Sequence, residues 1–164
     1  MSSTRPAYRV IGIGNPDRGD DGAGRAVAQR LLGALPSHVD VIEHSGEATS
    51  LLDCLESASA AWLVDACSSA APAGTVHRFD VAAAPLPQDA FTLSSHGFGL
   101  AEAIELARVL DRLPSRCVVY AVEGSAFETG RSISPPVAAA VREICDLIRR
   151  EVSPAPEARD ARHA

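Results

Sequence analysis

Short apolar runs alternate with segments of helical periodicity along most of this chain, and that alternation limits the folds open to it. We expect strands at residues 8–13, 39–43, 61–64, 75–79 and 116–122, and helices at residues 24–35, 47–57, 99–110 and 136–151. Strands separated by helices usually pair in parallel, because each helix crosses one face of the sheet on the way to the next strand. The sequence therefore predicts an α/β fold with a mainly parallel sheet and helices on both faces.

Length and composition predict one folded domain. The chain has 164 residues, of which 46% are hydrophobic and 22% charged, values typical of a globular domain with a sizeable core. We expect residues 1–7 to be an N-terminal lead and residues 8–151 to form the domain. Residues 152–164 mix proline, alanine and charged residues without a period, so we expect a disordered tail there.

Charge and hydropathy exclude several classes of protein. The net charge of −6 argues against binding to nucleic acid. No apolar run reaches the roughly 20 residues of a membrane helix, and the N-terminus does not resemble a signal peptide. Four cysteines are present without a Cys-x-x-Cys pair, which suggests reduced, mostly buried thiols. We therefore expect a cytoplasmic protein with no membrane partner, and a monomer.

A glycine-rich turn with two adjacent carboxylates follows the first expected strand. It runs from Gly12 to Gly24 and contains Asp20 and Asp21. In an open α/β sheet such a turn lies at the carboxyl edge, where ligands usually bind. A phosphate would face two like charges there, so the turn favours a cation or proton chemistry. The alternative is that one of the two aspartates only caps the following helix.

Three more candidate residues lie where that same edge is expected. Asp65 ends a central strand, His96 precedes the helix at 99–110, and Glu123 ends the last strand. Carboxylates with an imidazole suit nickel, zinc or manganese better than calcium, and fewer than four protein ligands leave positions for substrate or water. Each residue also has an ordinary interpretation as a turn or loop hydrogen-bonding group, but their common location favours a site.

Other motifs are incomplete. A dinucleotide fingerprint starting at Gly12 would need its third glycine at Asp17. A thiol nucleophile formed by Cys67 and His96 lacks a group that would lower the pKa of the thiol.

The order and spacing of several motifs resemble the hydrogenase maturation proteases, which trim the C-terminus of the large subunit of nickel-iron hydrogenases. The motifs are Gly12-x-Gly-Asn-x-x-x-x-Asp-Asp-Gly-x-Gly24, Leu63-Val-Asp-Ala66, Pro72-Ala-Gly-Thr-Val-His-Arg78, Ser95-His-Gly-Phe-Gly-Leu-Ala-Glu102, and Val122-Glu-Gly124 leading to Ile133-Ser-Pro135. The resemblance spans residues 8–150.

The resemblance implies a single three-layer domain with a twisted five-stranded sheet, and three metal-contacting residues at Asp21, Asp65 and His96. In the family these residues are thought to grip nickel already seated in the substrate, so no tightly bound cofactor is implied. The family is usually classed with the aspartic-type peptidases. Asp21, Asp65 and Asp20 are then the candidates for the catalytic carboxylate.

One motif departs from the family pattern. After the second strand many members carry Asp-Gly-Gly-Thr-Ala-Gly, whereas this chain reads His44-Ser-Gly-Glu-Ala-Thr49. A carboxylate remains nearby at Glu47, which we regard, with Glu123, as a possible accessory residue.

The resulting hypothesis is an endopeptidase that removes the C-terminal extension of a hydrogenase large-subunit precursor after nickel insertion, recognising the substrate-bound nickel. The alternative is a non-proteolytic, metal-sensing chaperone that docks on the same subunit. We expect Asp21, Asp65 and His96 to converge within the distance that one ion can bridge.

Overall fold

The computed structural model describes residues 7–87, 92–93 and 97–153. The strands are β1 (Tyr8–Ile13), β2 (Val39–His44), β3 (Ala60–Ser68), β4 (Val76–Asp80), β5 (Thr92–Leu93) and β6 (Arg116–Glu123); the helices are α1 (Ala23–Leu31), α2 (Ala48–Glu56), α3 (Gly97–Val109) and α4 (Pro135–Val152), with a short 3₁₀ helix at Gly19–Gly22. Almost all of the expected lead and tail lies outside the described residues. Within the described ranges, no helix combines the length and apolar character needed to cross a membrane.

The sheet is mainly parallel, as expected. Its strand order is β2-β1-β3-β6-β4, and the two-residue β5 pairs with β3 as a sixth strand. The pairs β1–β2, β1–β3 and β3–β6 are parallel, while β4 runs antiparallel to β6 and β5 antiparallel to β3. The predicted five-stranded sheet is therefore confirmed, with β5 as a short addition.

Two hydrophobic clusters, one on each face of the sheet, produce the expected three layers. On one face, Leu31 of α1 and Ile144 of α4 are buried with Trp62 of β3. On the opposite face, Leu55 of α2 and Ile104 of α3 are buried in a second cluster. Each helix buries one apolar stripe, as its periodicity predicts.

Two element ends differ from the sequence expectation by four residues, while the other expected boundaries lie within two residues of the observed ones. Strand β3 continues to Ser68 instead of ending at residue 64, because Asp65 pairs with Ala121 of β6 and the next residues pair with both β6 and β5. Helix α1 ends at Leu31, and Leu32 is extended with ψ 122°. The side chain of Leu32 is 67% exposed, so Leu32 does not join Leu31 in the core.

Close backbone contact places the start of α1 against the ends of β1 and β3. A Cβ atom on Gly24 would lie 2.3 Å from the carbonyl oxygens of both Ile13 and Val64, and one on Gly12 would lie 2.1 Å from the carbonyl oxygen of Gly24. Glycine is required at both positions, since any side chain would push the helix off the sheet. This contact brings the turn that contains Asp20 and Asp21 next to Val64, which directly precedes Asp65.

Candidate functional site

Asp21 lies buried in the 3₁₀ helix between β1 and α1. Its Oδ2 accepts a hydrogen bond of 3.0 Å from the backbone N–H of Asn15, which fixes the carboxylate relative to the end of β1. The capping alternative is wrong for α1, because Gly22 occupies the N-cap position and no side chain caps the helix. The carboxylate of Asp21 therefore points to a role other than capping.

Asp65 lies buried on β3 at the point where β1 has ended. Val64 pairs with Gly12 of β1, so Asp65 is the first residue of β3 beyond that pairing. Its Oδ1 accepts a hydrogen bond of 2.8 Å from the N–H of Ala66. Together with the contact of Gly24 on Val64, this places Asp21 and Asp65 in neighbouring elements at the carboxyl edge of the sheet, since the 3₁₀ helix packs against β3.

His96 lies outside the described residues, so the expected convergence with Asp21 and Asp65 stays a prediction. Helix α3, which begins at Gly97, does place its first turn near this edge. A Cβ on Gly99 would be 2.0 Å from the carbonyl oxygen of Gly46, in the loop that follows β2.

Asp20 is held by a distant loop. Its Oδ2 accepts from the N–H groups of Ser125 and Ala126 at 2.9 and 3.0 Å, and its Oδ1 accepts from the N–H and hydroxyl of Ser134 at 2.8 and 2.9 Å. Burial alone would raise the pKa of Asp20, but these hydrogen bonds outweigh it and the pKa lies below its usual value. This geometry favours an anchoring role over the catalytic one. The hydroxyl of Ser134, at the N-cap position of α4, bonds to Asp20 and does not cap the helix.

Glu123 has partners on two other strands. Its Oε1 lies 2.9 Å from Nε2 of His77, and its Oε2 accepts from the N–H of Ser69 at 2.9 Å. Burial would raise the pKa of Glu123, but bonds from Ser69, His77 and Cys67 lower it overall. Glu123 is thus an anionic acceptor at the end of β6.

Cys67 does not fit the thiol-nucleophile interpretation. Burial raises the pKa of its thiol, and the nearby carboxylates of Glu123 and Asp65 raise that pKa further. A nucleophilic cysteine needs the opposite shift, towards the thiolate.

Glu47 and His44 occupy the loop after β2. Glu47 caps α2, since its carboxylate accepts from the N–H groups of Thr49 and Ser50, both at 2.9 Å. A hydrogen bond from the hydroxyl of Thr49, followed by these backbone bonds and one from the hydroxyl of Ser50, lowers the pKa of Glu47 to about 2. Nδ1 of His44 accepts from the N–H of Gly46 at 2.8 Å. Burial and the charge of Arg25 lower the pKa of His44, against the smaller opposing effect of Glu47. Glu47 is therefore a capping residue, and His44 is neutral with its proton on Nε2.

Arg25 was not singled out from the sequence, yet it lies at this edge. Its Nε donates to the carbonyl of Gly14 at 2.9 Å, and its guanidinium is 3.6 Å from Glu43. A cation in the first turn of a helix opposes the helix dipole, and that was the signal available in the sequence. The edge thus combines two oriented carboxylates with one fixed cation, a set able to hold a metal ion or to activate water.

Comparison with known proteins gives a family match and several similar folds. The model of a family described as HycI, hydrogenase maturation protease, matches residues 26–151, a range that includes Asp65 and begins after Asp21. The hydrogenase maturating endopeptidase HybD from E. coli is 21% identical, with a TM-score of 0.75 over 89% of this chain and 91% of that one. The [NiFe] hydrogenase maturation protease HybD from Thermococcus kodakarensis is 16% identical, with a TM-score of 0.70 over 90% and 99%. No curated protein sequence matches.

Proposed function

This chain belongs to the hydrogenase maturation protease family, and from that we propose that it removes the C-terminal extension of a nickel-iron hydrogenase large-subunit precursor once nickel has been inserted. The family match over residues 26–151 carries the proposal. Membership makes the chain an endopeptidase, which favours cutting over the docking chaperone considered from the sequence. The nickel dependence and the aspartic-type chemistry go beyond family membership and are part of the proposal.

We assign recognition of the substrate's nickel to Asp21, Asp65 and His96. The support is that Asp21 and Asp65 lie in neighbouring elements and that each carboxylate is oriented by a backbone N–H, at 3.0 and 2.8 Å respectively. Carboxylates held in this way can add ligands to an ion that arrives with most of its shell already filled. Docking through the ion fixes the scissile peptide against the enzyme, and such positioning can lower a barrier by several kcal/mol, up to roughly 7–11 in the best cases.

The cutting step needs a base beside the positioned peptide. Asp65 or Asp21 takes a proton from a water molecule, the water oxygen attacks the scissile carbonyl carbon, and the leaving amine accepts the proton as the C–N bond breaks. Asp20 serves as a positioning residue in this scheme, because four hydrogen bonds from residues 125–134 occupy its carboxylate.

The test is a processing assay on nickel-loaded and nickel-free precursor, with loss of the C-terminal peptide followed by intact mass. We expect the natural protein to cut only the loaded form. Asp65→Asn keeps the shape of the side chain but removes its charge, so cutting should fall by about 10²–10⁴-fold, the usual contribution of an acid–base group. Asp53→Asn, on the exposed surface of α2, is the matched control and should cut normally.

Each contrary result removes one part of the proposal. Equal cutting of both precursor forms would refute recognition through nickel, and undiminished cutting by Asp65→Asn would remove Asp65 from the mechanism. Binding of the precursor with no change in its mass would support the chaperone alternative.

A further inference from the structure

We propose that Cys67, His77 and Glu123 form a second metal site, for a thiophilic divalent transition ion such as zinc, beside the residues proposed to recognise nickel but with a different donor set. One potential ligand atom from each residue lies within 4.8 Å of those of the other two. This proposal does not depend on the proposed function.

The three residues stand on one face of three neighbouring strands. Cys67 of β3 is directly paired with Glu123 of β6, and His77 of β4 is paired with Ala121, two residues before Glu123. Cross-strand partners project to the same side of a sheet. The cluster therefore rests on hydrogen-bonded strands and not on loops, which is the kind of support that keeps ligand geometry fixed.

The distances suit coordination after a small adjustment. Zinc–ligand bonds of about 2.0–2.3 Å in a tetrahedral shell place ligand atoms roughly 3.3–3.6 Å apart. Nε2 of His77 and Oε1 of Glu123 are now 2.9 Å apart, and no separation in the cluster exceeds 4.8 Å. Shifts of about 1 Å or less in side-chain atoms would be enough.

Charge balance also fits a divalent ion. A thiolate and a carboxylate bring two negative charges, and a neutral imidazole brings none, so a divalent cation makes the group neutral overall. That matters because Cys67 is fully buried and Glu123 is 1% exposed, and an unbalanced charge there would be costly. On binding, the thiol proton leaves to solvent. His77 gives up the Nε2 proton that faces Oε1 of Glu123 and takes one on Nδ1 from solvent, so the neutral ring binds the ion through Nε2.

Neighbouring groups already orient two of the ligands. The N–H of Ser69 holds Oε2 of Glu123 at 2.9 Å, while Oε1 faces His77 and also accepts from the hydroxyl of Ser69, which would have to turn away when an ion binds. The ring of His77 stacks on Phe79 with centroids 6.2 Å apart. The side chain of His77 is 27% exposed and gives an ion a way in from solvent. Such outer contacts are typical of metal sites.

The donor set separates this site from the edge. A thiolate selects zinc, cobalt, nickel or copper over magnesium, calcium and manganese, whereas Asp21 and Asp65 offer only oxygen. Cobalt(II) is therefore the probe, because a cobalt–thiolate bond gives a near-ultraviolet charge-transfer band that oxygen and nitrogen ligands do not.

The experiment titrates cobalt(II) into the full-length, chelator-treated protein under a non-thiol reductant. We expect one cobalt per chain with a thiolate band. Cys67→Ser should abolish the band and weaken binding by at least about tenfold, and His77→Gln should keep the band but require more cobalt. Cys54→Ser removes a half-buried thiol outside the cluster and is the matched control, so its band should stay.

Absence of a thiolate band, or its survival in Cys67→Ser, would overturn the proposal. If circular dichroism shows that Cys67→Ser is unfolded, an unchanged cobalt affinity in folded His77→Gln would overturn it equally. The readout is a cobalt–thiolate band and not cutting of a precursor, which keeps this result independent of the processing assay.

Discussion

Replacing Asp20 with asparagine should strongly destabilise the fold, because the buried carboxylate joins two distant parts of the chain. Its Oδ2 accepts two backbone N–H groups, from Ser125 and Ala126, and its Oδ1 accepts the N–H and hydroxyl of Ser134. Asparagine has one carbonyl oxygen, so its NH₂ group must face the donors on one of these two sides. If the NH₂ group faces Ser134, one backbone N–H loses its acceptor. If it faces residues 125 and 126, two backbone N–H groups do.

The size of the effect follows from those contacts. A hydrogen bond to a charged group contributes about 1.5–3 kcal/mol, so losing two of them costs about 3 kcal/mol at the low end. For a chain of this length each kcal/mol lowers the melting temperature by about 2–4 °C, which gives a fall of about 6–12 °C. Asp53→Asn changes the charge equally at an exposed position and should stay within about 0.5 kcal/mol of the natural protein.

The pH dependence gives a second check by thermal unfolding. Because the folded-state pKa of Asp20 is lowered, its stabilisation is fully present above the unfolded pKa of about 3.9 and is lost as the pH falls through the folded value. The difference in melting temperature between the natural protein and Asp20→Asn should be constant from pH 7 to 5 and become smaller below about pH 4. A difference in melting temperature under about 2 °C at pH 7, or one that does not become smaller at acidic pH, would refute this account of Asp20.

Two further predictions concern packing and a buried phenol. Gly24→Ala should lower the free energy of unfolding by about 3 kcal/mol or more, since its Cβ would lie 2.3 Å from two backbone oxygens. Gly33→Ala, with φ +77° and open space around it, should lower it by only about 1–2 kcal/mol. Equal midpoints of urea unfolding for the two variants would contradict the packing argument. Burial and the hydrogen bond to Glu151 raise the pKa of Tyr120 to about 12. The variant Tyr8→Phe removes the other of the 2 tyrosines, so its phenolate absorbance reports Tyr120 alone. This absorbance should still be low near pH 11, about one unit above the ordinary tyrosine pKa. The stability linked to Tyr120 is then present below the unfolded pKa of about 10 and lost as the pH rises through the folded value. Half-ionisation of Tyr120 near pH 10 would contradict this prediction.

Local pattern was enough to place most of the secondary structure. Strand β1 was predicted at its observed bounds, Tyr8–Ile13, because a short apolar run before a glycine-rich turn admits few other structures. The end of β3 was missed, since residues 66–68 are strand only through their pairing with β5 and β6. The end of α1 was missed because Leu32 continues the apolar period while its side chain faces solvent.

Side-chain partners were harder to anticipate than strands. The edge positions of Asp21 and Asp65 followed from strand–helix alternation, which fixes where turns lie. The partners of Asp20 are up to 114 residues away, and His77 meets Glu123 across 46 residues. No local period encodes such contacts, so the anchoring of Asp20 and the Cys67–His77–Glu123 cluster emerged only from the fold.

The strand order also sets when the two halves of the carboxyl edge can form during folding. Pairing of β1 with β2 and β3 joins Tyr8 to Val39 and Ala60, and it already brings Asp21 and Asp65 together. The hydrogen bonds that hold Asp20 close a loop of 114 residues, and long loops delay the contacts that close them. We therefore expect the Asp21–Asp65 part of the edge to form early and the part held by Asp20 to form late. The proposed nickel recognition would then become possible only when the C-terminal part of the chain has docked.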